Sequence, residues 1–353
     1  MRLKIYPVLL LIAVSAITAC KKSSAPSPTQ PTPTVKMDTD VYVSGYVQTN
    51  NGNYVAAYWK NGVLNELTDS TFQTIATGIL INGNDIYIPG VINTSVSTKA
   101  VYWKNGVLTQ LTDGSSEASA SGIAVSGNDV YVSGDIFPAN HDIAVYWKNG
   151  VQQLLKDNSP DTYANGIAVN GSDVYVIGTS LPVHGYTYAT YWKNNIAVAL
   201  TDSLTNSITS GIAINGSDVY ISGFTSGIGQ YSSAAYWKNG TPTVLATTGS
   251  ATSIAINGND IYVAGTSNTV PLGGVYWKNG TPTAITDGST FLDVNSMAVQ
   301  GNDVYVAGRE YNYNNNGVIP IYWKNGKVVH LQANTTKISG TNGIAVVVHP
   351  ASN

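Results

Sequence analysis

Asp129-Val130-Tyr131-Val132-Ser133-Gly134, followed by Tyr146-Trp147-Lys148-Asn149-Gly150, decides the fold, because the chain writes this pair of strings seven times. The first string, D-[VI]-Y-[VI]-x-G, opens at Asp40, Asp85, Asp129, Asp173, Asp218, Asp260 and Asp303, with spacings of 45, 44, 44, 45, 42 and 43 residues. The second places a tryptophan at the same point of every unit: Trp59, Trp103, Trp147, Trp192, Trp237, Trp277 and Trp323, which accounts for all 7 tryptophans of the chain. Its fourth copy carries Asn195 in place of glycine, and asparagine tolerates a left-handed turn better than most residues. A fixed period of this length marks a repeat architecture.

Each unit holds four short strand signals separated by turns. In the third copy they are Gly122–Val125, Val130–Val132, Ile143–Trp147 and Val151–Leu155. Gly127-Asn128 joins the first pair and Lys148-Asn149-Gly150 the last, both hairpin signals. A four-stranded meander repeated seven times predicts an all-β, seven-bladed β-propeller with antiparallel blades. An open solenoid is the rival, and the ends of the array disfavour it. The first copy begins at its second strand, Asp40–Gly45, while an orphan strand, Asn342–Val347, follows the seventh. If the C-terminal strand joins the first blade, the ring closes and exposed edges are reduced; a solenoid would want polar caps.

The stretch A-x-Y-W-K-N-G-x-x-x-x-L-T-D, followed by G-I-A-V-x-G-N-D-V-Y-V-x-G, resembles the HAF-type extracellular repeat and, more distantly, kelch and WD-repeat propellers. The resemblance covers about residues 38 to 348. It implies a secreted or envelope protein and no particular reaction. The Gly-Gly of kelch and the Trp-Asp of WD repeats are missing, so no binding residue carries over from those families.

Composition agrees with an extracytoplasmic β protein. The 353 residues are 43% hydrophobic but only 10% charged, with 35 Gly, 23 Tyr and a net charge of -3. That hydrophobicity excludes disorder, and so small a charge argues against a nucleic-acid partner. At the N-terminus, Arg2 and Lys4 precede an apolar run from Val8 to Val14 and then Ile17-Thr18-Ala19-Cys20, the layout of a secretory signal. The quartet resembles the lipobox of bacterial lipoproteins, which implies cleavage before Cys20 and lipidation of its sulfur. Cys20 is the only cysteine, so no disulfide forms in the mature domain. Residues 21 to 36, KKSSAPSPTQPTPTVK, read as an extended tether. The expected organisation is a signal peptide over 1–19, a lipidated Cys20 and tether over 20–37, and the propeller over 38–353. Lys21 after the cysteine favours the outer membrane by the rules of that family. A monomer held to the membrane through Cys20 is expected.

Strand order locates a site. The first-to-second and third-to-fourth turns share one face and are nearly uniform; the other two connections share the opposite face and vary. Binding residues gather on variable loops of rigid scaffolds. Candidate ligand-binding residues on that face are Tyr46, Phe137, His141, His184, Tyr186, Tyr188, Phe224, Tyr231, Arg309, Glu310, Tyr311 and Tyr313. Phe72, Phe291, Tyr163 and the acids Asp135 and Asp142 belong to the same loops. Such a face suits stacking and hydrogen bonding to a glycan or a protein segment. The repeated tryptophans are expected to be inter-blade core, the alternative being seven stacking platforms. The repeated lysines are expected to be solvated turn residues. The repeated aspartates are expected to bond their own backbone; they lack the interleaved pattern of a calcium site. No cofactor or metal is implied.

The histidines, His141, His184, His330 and His349, sit at unrelated repeat positions, and no H-E-x-x-H, G-x-S-x-G or phosphate loop is present. The expectation is therefore a non-catalytic envelope binding or scaffold module. The alternative is a polysaccharide hydrolase or lyase using loop carboxylates such as Asp135 with Glu310.

Overall fold

The computed structural model describes residues 36–138, 140–227, 231–268, 273–285, 292–312, 317–332 and 339–351; the side chains of Leu292, Tyr311 and Asn312 are outside that description. Seven antiparallel sheets follow one another along the chain and form a closed ring. The C-terminal strand Ser339–Pro350 supplies the inner strand of blade one, pairing with Met37–Gln48 from Met37↔Pro350 to Val47↔Ser339. Blade one then continues through Tyr54–Lys60 to Val63–Glu66. The ring is therefore a seven-bladed propeller closed by its two terminal strands.

The strands are longer than the apolar signals suggest. In blade three the inner pair runs Glu117–Ser126 and Asp129–Phe137, well past Gly134. On the inner strand the added length is Glu117-Ala118-Ser119-Ala120-Ser121, whose apolar residues are only alanines, and it is held by pairing such as Asp135↔Ser119. Tyr46, Asp135, Phe137, Tyr163, Tyr188, Phe224, Arg309 and Glu310 thus lie on strands rather than in loops. Blade two departs from the pattern: its inner strand is split into Gln73–Ala76 and Leu80–Asn82. Pro89 stands opposite the break and has no N–H to give to the ladder.

Two glycine positions explain the spelling of the repeats. In K-N-G, the asparagines take φ of 49–52° and the next residues 68–84°, the double positive φ of a type I′ hairpin turn. The glycine ending D-x-Y-x-x-G faces a bulge in the inner strand, where the register shifts between Ser133 and Gly134. A Cβ on Gly134 would overlap the Ser119 carbonyl, and one on Gly45, Gly178 or Gly223 would meet the same obstacle.

All seven repeated tryptophans, Trp59, Trp103, Trp147, Trp192, Trp237, Trp277 and Trp323, are buried, at 0–3% exposure. Each packs in a cluster with side chains of the preceding blade. Trp59 joins Tyr305, Ala307 and Tyr322 of blade seven, Trp103 joins Ala56 of blade one, and Trp147 joins Ala100 of blade two. Trp192 meets Tyr131, Ala144 and Tyr146 of blade three, and Trp237 meets Tyr175, Ile177 and Ala189 of blade four. Trp277 lies with Tyr220 and Ala234 of blade five, and Trp323 with Tyr262 and Ala264 of blade six. The core is therefore seven separate inter-blade clusters arranged in a ring. A stacking platform needs an exposed ring face, so the alternative of seven ligand platforms is corrected at every one of these positions: each indole face is used up by its neighbouring blade.

Polar side chains bridge neighbouring inner strands. Thr77 Oγ1 donates to Ala120 O at 2.7 Å, Ser121 Oγ to Ala164 O at 2.7 Å, and Asn342 Nδ2 to Ala76 O at 2.7 Å between the inner strands of blades one and two.

Candidate functional site

The two faces of the disc are built differently. On the turn face, each repeated aspartate is tied to the K-N pair that ends the adjacent strand. Its Oδ1 accepts the asparagine Nδ2 at 2.7–2.9 Å, and its Oδ2 meets the lysine Nζ at 2.8–2.9 Å. The asparagine Oδ1 accepts the N–H of the residue after the aspartate at 2.8–2.9 Å. The lysine also lies 5.1–5.3 Å from the centroid of the D-x-Y tyrosine ring. This corrects the expectation that the aspartates bond their own backbone; the lysines stay partly solvated beside the turn and are paired as well. The two strings are one interlocked unit, written twice in sequence and closed once in space. In six blades the lysine, followed by the asparagine, holds the carboxyl below its ordinary value. The repeated charges of this face thus balance, one cation to one anion in every blade.

The loop face is the opposite. Among the described residues, Glu66, Asp69, Asp113, Glu117, Asp135, Asp142, Asp157, Asp161, Asp202, Asp293 and Glu310 lie at that end of their blades, against Lys99, Lys156 and Arg309. One position there varies around the ring, the residue directly after the bulge glycine: Tyr46, Val91, Asp135, Thr179, Phe224, Thr266 and Arg309. Cross-strand partners share a face of a sheet, and here they are Gly340, Ile75, Ser119, Tyr163, Ile208, Ser250 and Asp293.

At blades three and four this position opens into a cleft of about 410 Å³ lined by Glu117, Ser119, Asp135, Phe137, Asp142 and Tyr163, among others. Asp135 Oδ1 accepts the Ala164 N–H of blade four at 2.7 Å, and Oδ2 accepts Ser119 Oγ at 3.3 Å. Burial nevertheless dominates and pushes the carboxyl up to about 7, with Asp142 adding in the same sense. Asp142 Oδ2 accepts the Tyr163 hydroxyl at 3.0 Å. Burial, reinforced by that hydrogen bond, raises the phenol to about 12, so Tyr163 remains a donor. Asp161 Oδ1 takes the Asp142 N–H at 3.1 Å and lies 3.1 Å from His141 Nδ1, which ties the loop of blade three to the inner strand of blade four.

The other candidates are dispersed. Arg309 is ion-paired to Asp293 and donates to Tyr46 OH at 3.2 Å across the junction of blades seven and one. Tyr46 meets Tyr54 edge to face at 5.0 Å. Glu310 lies 3.2 Å from His330 Nε2 within blade seven, whereas Asp135 faces blade four; the carboxylate pair Asp135–Glu310 is not formed. His184 and Tyr186 are exposed on blade four. Tyr188 OH is held by Ser159 Oγ at 2.9 Å and Asp157 Oδ2 at 3.2 Å. Phe224 is half-buried, and Tyr231 is exposed. The Tyr311 side chain, Tyr313, Phe291 and Cys20 lie outside the described residues. A second cleft of about 430 Å³, between blades one and two, is walled by Leu67, Phe72, Ile92 and Leu108.

Asp135 and Asp142 were legible as site-like acids, but Ser119 and Asp161, which position them, were not. The signal that marks Asp135 is its place after a glycine common to all seven repeats, where the other blades carry different side chains. Among the described residues, no three His, Cys, Asp or Glu side chains are placed to hold a metal ion.

Fold and site together define a seven-bladed propeller with one balanced face and one acidic, clefted face. No family model matches the chain, and no curated protein is similar to it, so the HAF-like resemblance rests on the repeat residues themselves. Among solved structures, the chain is similar to a Mycobacterium tuberculosis puromycin-hydrolyzing peptidase, with 10% identity and a TM-score of 0.57 over 85% of this chain and 53% of that one. It is similar more loosely to a Trypanosoma rangeli sialidase in complex with sialic acid, with 10% identity and a TM-score of 0.46 over 80% of this chain and 56% of that one. This chain thus spans about half the length of either structure. The likeness to the peptidase is one of fold.

Proposed function

We propose that this chain is an outer-membrane lipoprotein of the bacterial envelope, anchored through Cys20, whose propeller binds a glycan on the loop-bearing face at the cleft of blades three and four. The observation that carries the reading is the contrast of the faces: the repeated aspartates, lysines and asparagines of the turn face engage one another, while the loop face offers Phe137 at 39% exposure beside a carboxyl-lined cleft. An aromatic wall with hydrogen-bonding side chains suits a sugar ring. Loops set on a rigid scaffold are where such sites form. A protein ligand is the second reading, supported by exposed Tyr186, Val183 and Tyr231 elsewhere on that face.

A glycan-array screen of the full-length Cys20→Ser protein, repeated with Phe137→Ala, tests the reading. Binding that weakens tenfold or more in the variant supports a cleft site. Binding retained by Phe137→Ala moves the site elsewhere, and no glycan bound at all overturns the glycan reading in favour of a protein ligand.

A further inference from the structure

The cleft combines two features that binding alone does not require with a size that binding does. Its lining includes a half-buried carboxyl, Asp135, held in two hydrogen bonds at the junction of two blades. Its side carries a second carboxylate, Asp142, whose Oδ2 is fixed by a phenol donated from the next blade. Its volume of about 410 Å³ lies in the range of small-ligand sites. The two acids come from the same strand–loop–strand segment of blade three, but each is oriented by blade four, through Ala164 and Tyr163 respectively. Both are half-buried, but their partners differ: Asp135 takes a backbone N–H and the Ser119 hydroxyl, Asp142 the Tyr163 phenol. Two carboxyls on one cleft with different hydrogen-bond partners are an arrangement that can divide acid from base.

We propose that this cleft hydrolyses a glycosidic bond, with Asp135 as the proton donor and Asp142 as the base. The inference rests on the glycan reading above and goes beyond it. Protonated Asp135 gives its proton to the glycosidic oxygen as the bond from that oxygen to the anomeric carbon breaks. Water adds to the anomeric carbon and gives its proton to Asp142, and solvent exchange returns each carboxyl to its starting state. Water is the only co-reactant. Tyr163 is a positioning residue, and Phe137 stacks on the sugar. Among the described residues, the lining includes no lysine or arginine, so the substrate is a neutral or aminated glycan rather than a uronate polymer.

The near-neutral carboxyl sets the pH profile. Asp135 must carry its proton to act, so activity is expected to fall as pH rises through about 7. The test incubates the full-length Cys20→Ser protein with chitosan, xylan or mixed-linkage β-glucan, and with polygalacturonate as the anionic comparison, and follows new reducing ends from pH 5 to 9. Release from one of the first three and not from polygalacturonate is expected. Asp135→Asn and Asp142→Asn should each lower the rate 100-fold or more while still binding the glycan, and Asp135→Asn should abolish the fall near pH 7. Tyr163→Phe removes one hydroxyl and leaves the ring in place; it should lower kcat about tenfold with little change in KM. A glycan bound at the cleft without any reducing ends overturns hydrolysis and leaves binding intact. Hydrolysis retained by both Asn variants overturns the assignment of the residues, and no binding with no hydrolysis overturns both readings.

Discussion

Gly223, like Gly134, has no freedom to become alanine, because the carbonyl of the bulged inner strand occupies the space its Cβ would need. The bulge, one extra residue on the inner strand, stands beside the point where Asp135, the next residue on the second strand, meets the Ala164 N–H of blade four. Gly223→Ala is expected to destabilise the protein by about 1–3 kcal/mol, measured by chemical denaturation; an unchanged midpoint would show that the bulge can relax. Gly223 lies on blade five, away from the acidic cleft, so glycan binding should survive. The lysine–aspartate pairs of the turn face, by contrast, are partly exposed, and exposed pairs contribute little individually. Their effect is to fix geometry, since one asparagine side chain satisfies both an aspartate and the N–H that follows it.

Among the elements, the strand Ser339–Pro350 matters most, since it is the inner wall of a blade begun at the other end of the chain. Deleting residues 342 to 353 leaves Met37–Gln48 without most of its partner and removes Ile344 from the core of the junction between blades seven and one. The melting temperature is expected to drop by about 10 °C or more, and an unchanged melting curve would refute closure by this strand. Closure could be read from sequence because the repeat frame is offset at both ends: a missing first strand and a surplus last one. Strand length could not, because Ser119 and Asp135 extend the ladder without leaving an apolar rhythm. Nor could the break in blade two be read without noticing that Pro89 removes a donor where other blades keep one.

For the whole molecule, repetition made the fold legible while hiding the site. Seven copies of the same turn signals outweigh any local ambiguity, but a cleft lined by residues that differ from blade to blade has no period to detect. Asp135, Asp142 and Tyr163 are separated in sequence and meet only because blade four packs on blade three; Glu310, an equal candidate in sequence, is assigned by the ring to another blade. The proposed anchor belongs to this scale as well. Cys20→Ser should shift the protein from the membrane fraction to the soluble fraction on cell fractionation, and continued sedimentation with membranes would refute lipidation.

The antiparallel pairing of Met37 with Pro350 places both ends of the folded ring on the balanced turn face. Whatever precedes Met37 in the chain therefore leaves the ring from that face. Under the anchor proposed at Cys20, the point of attachment lies on the balanced side and the cleft on the opposite one, so a long polymer reaches the cleft without having to pass between protein and membrane.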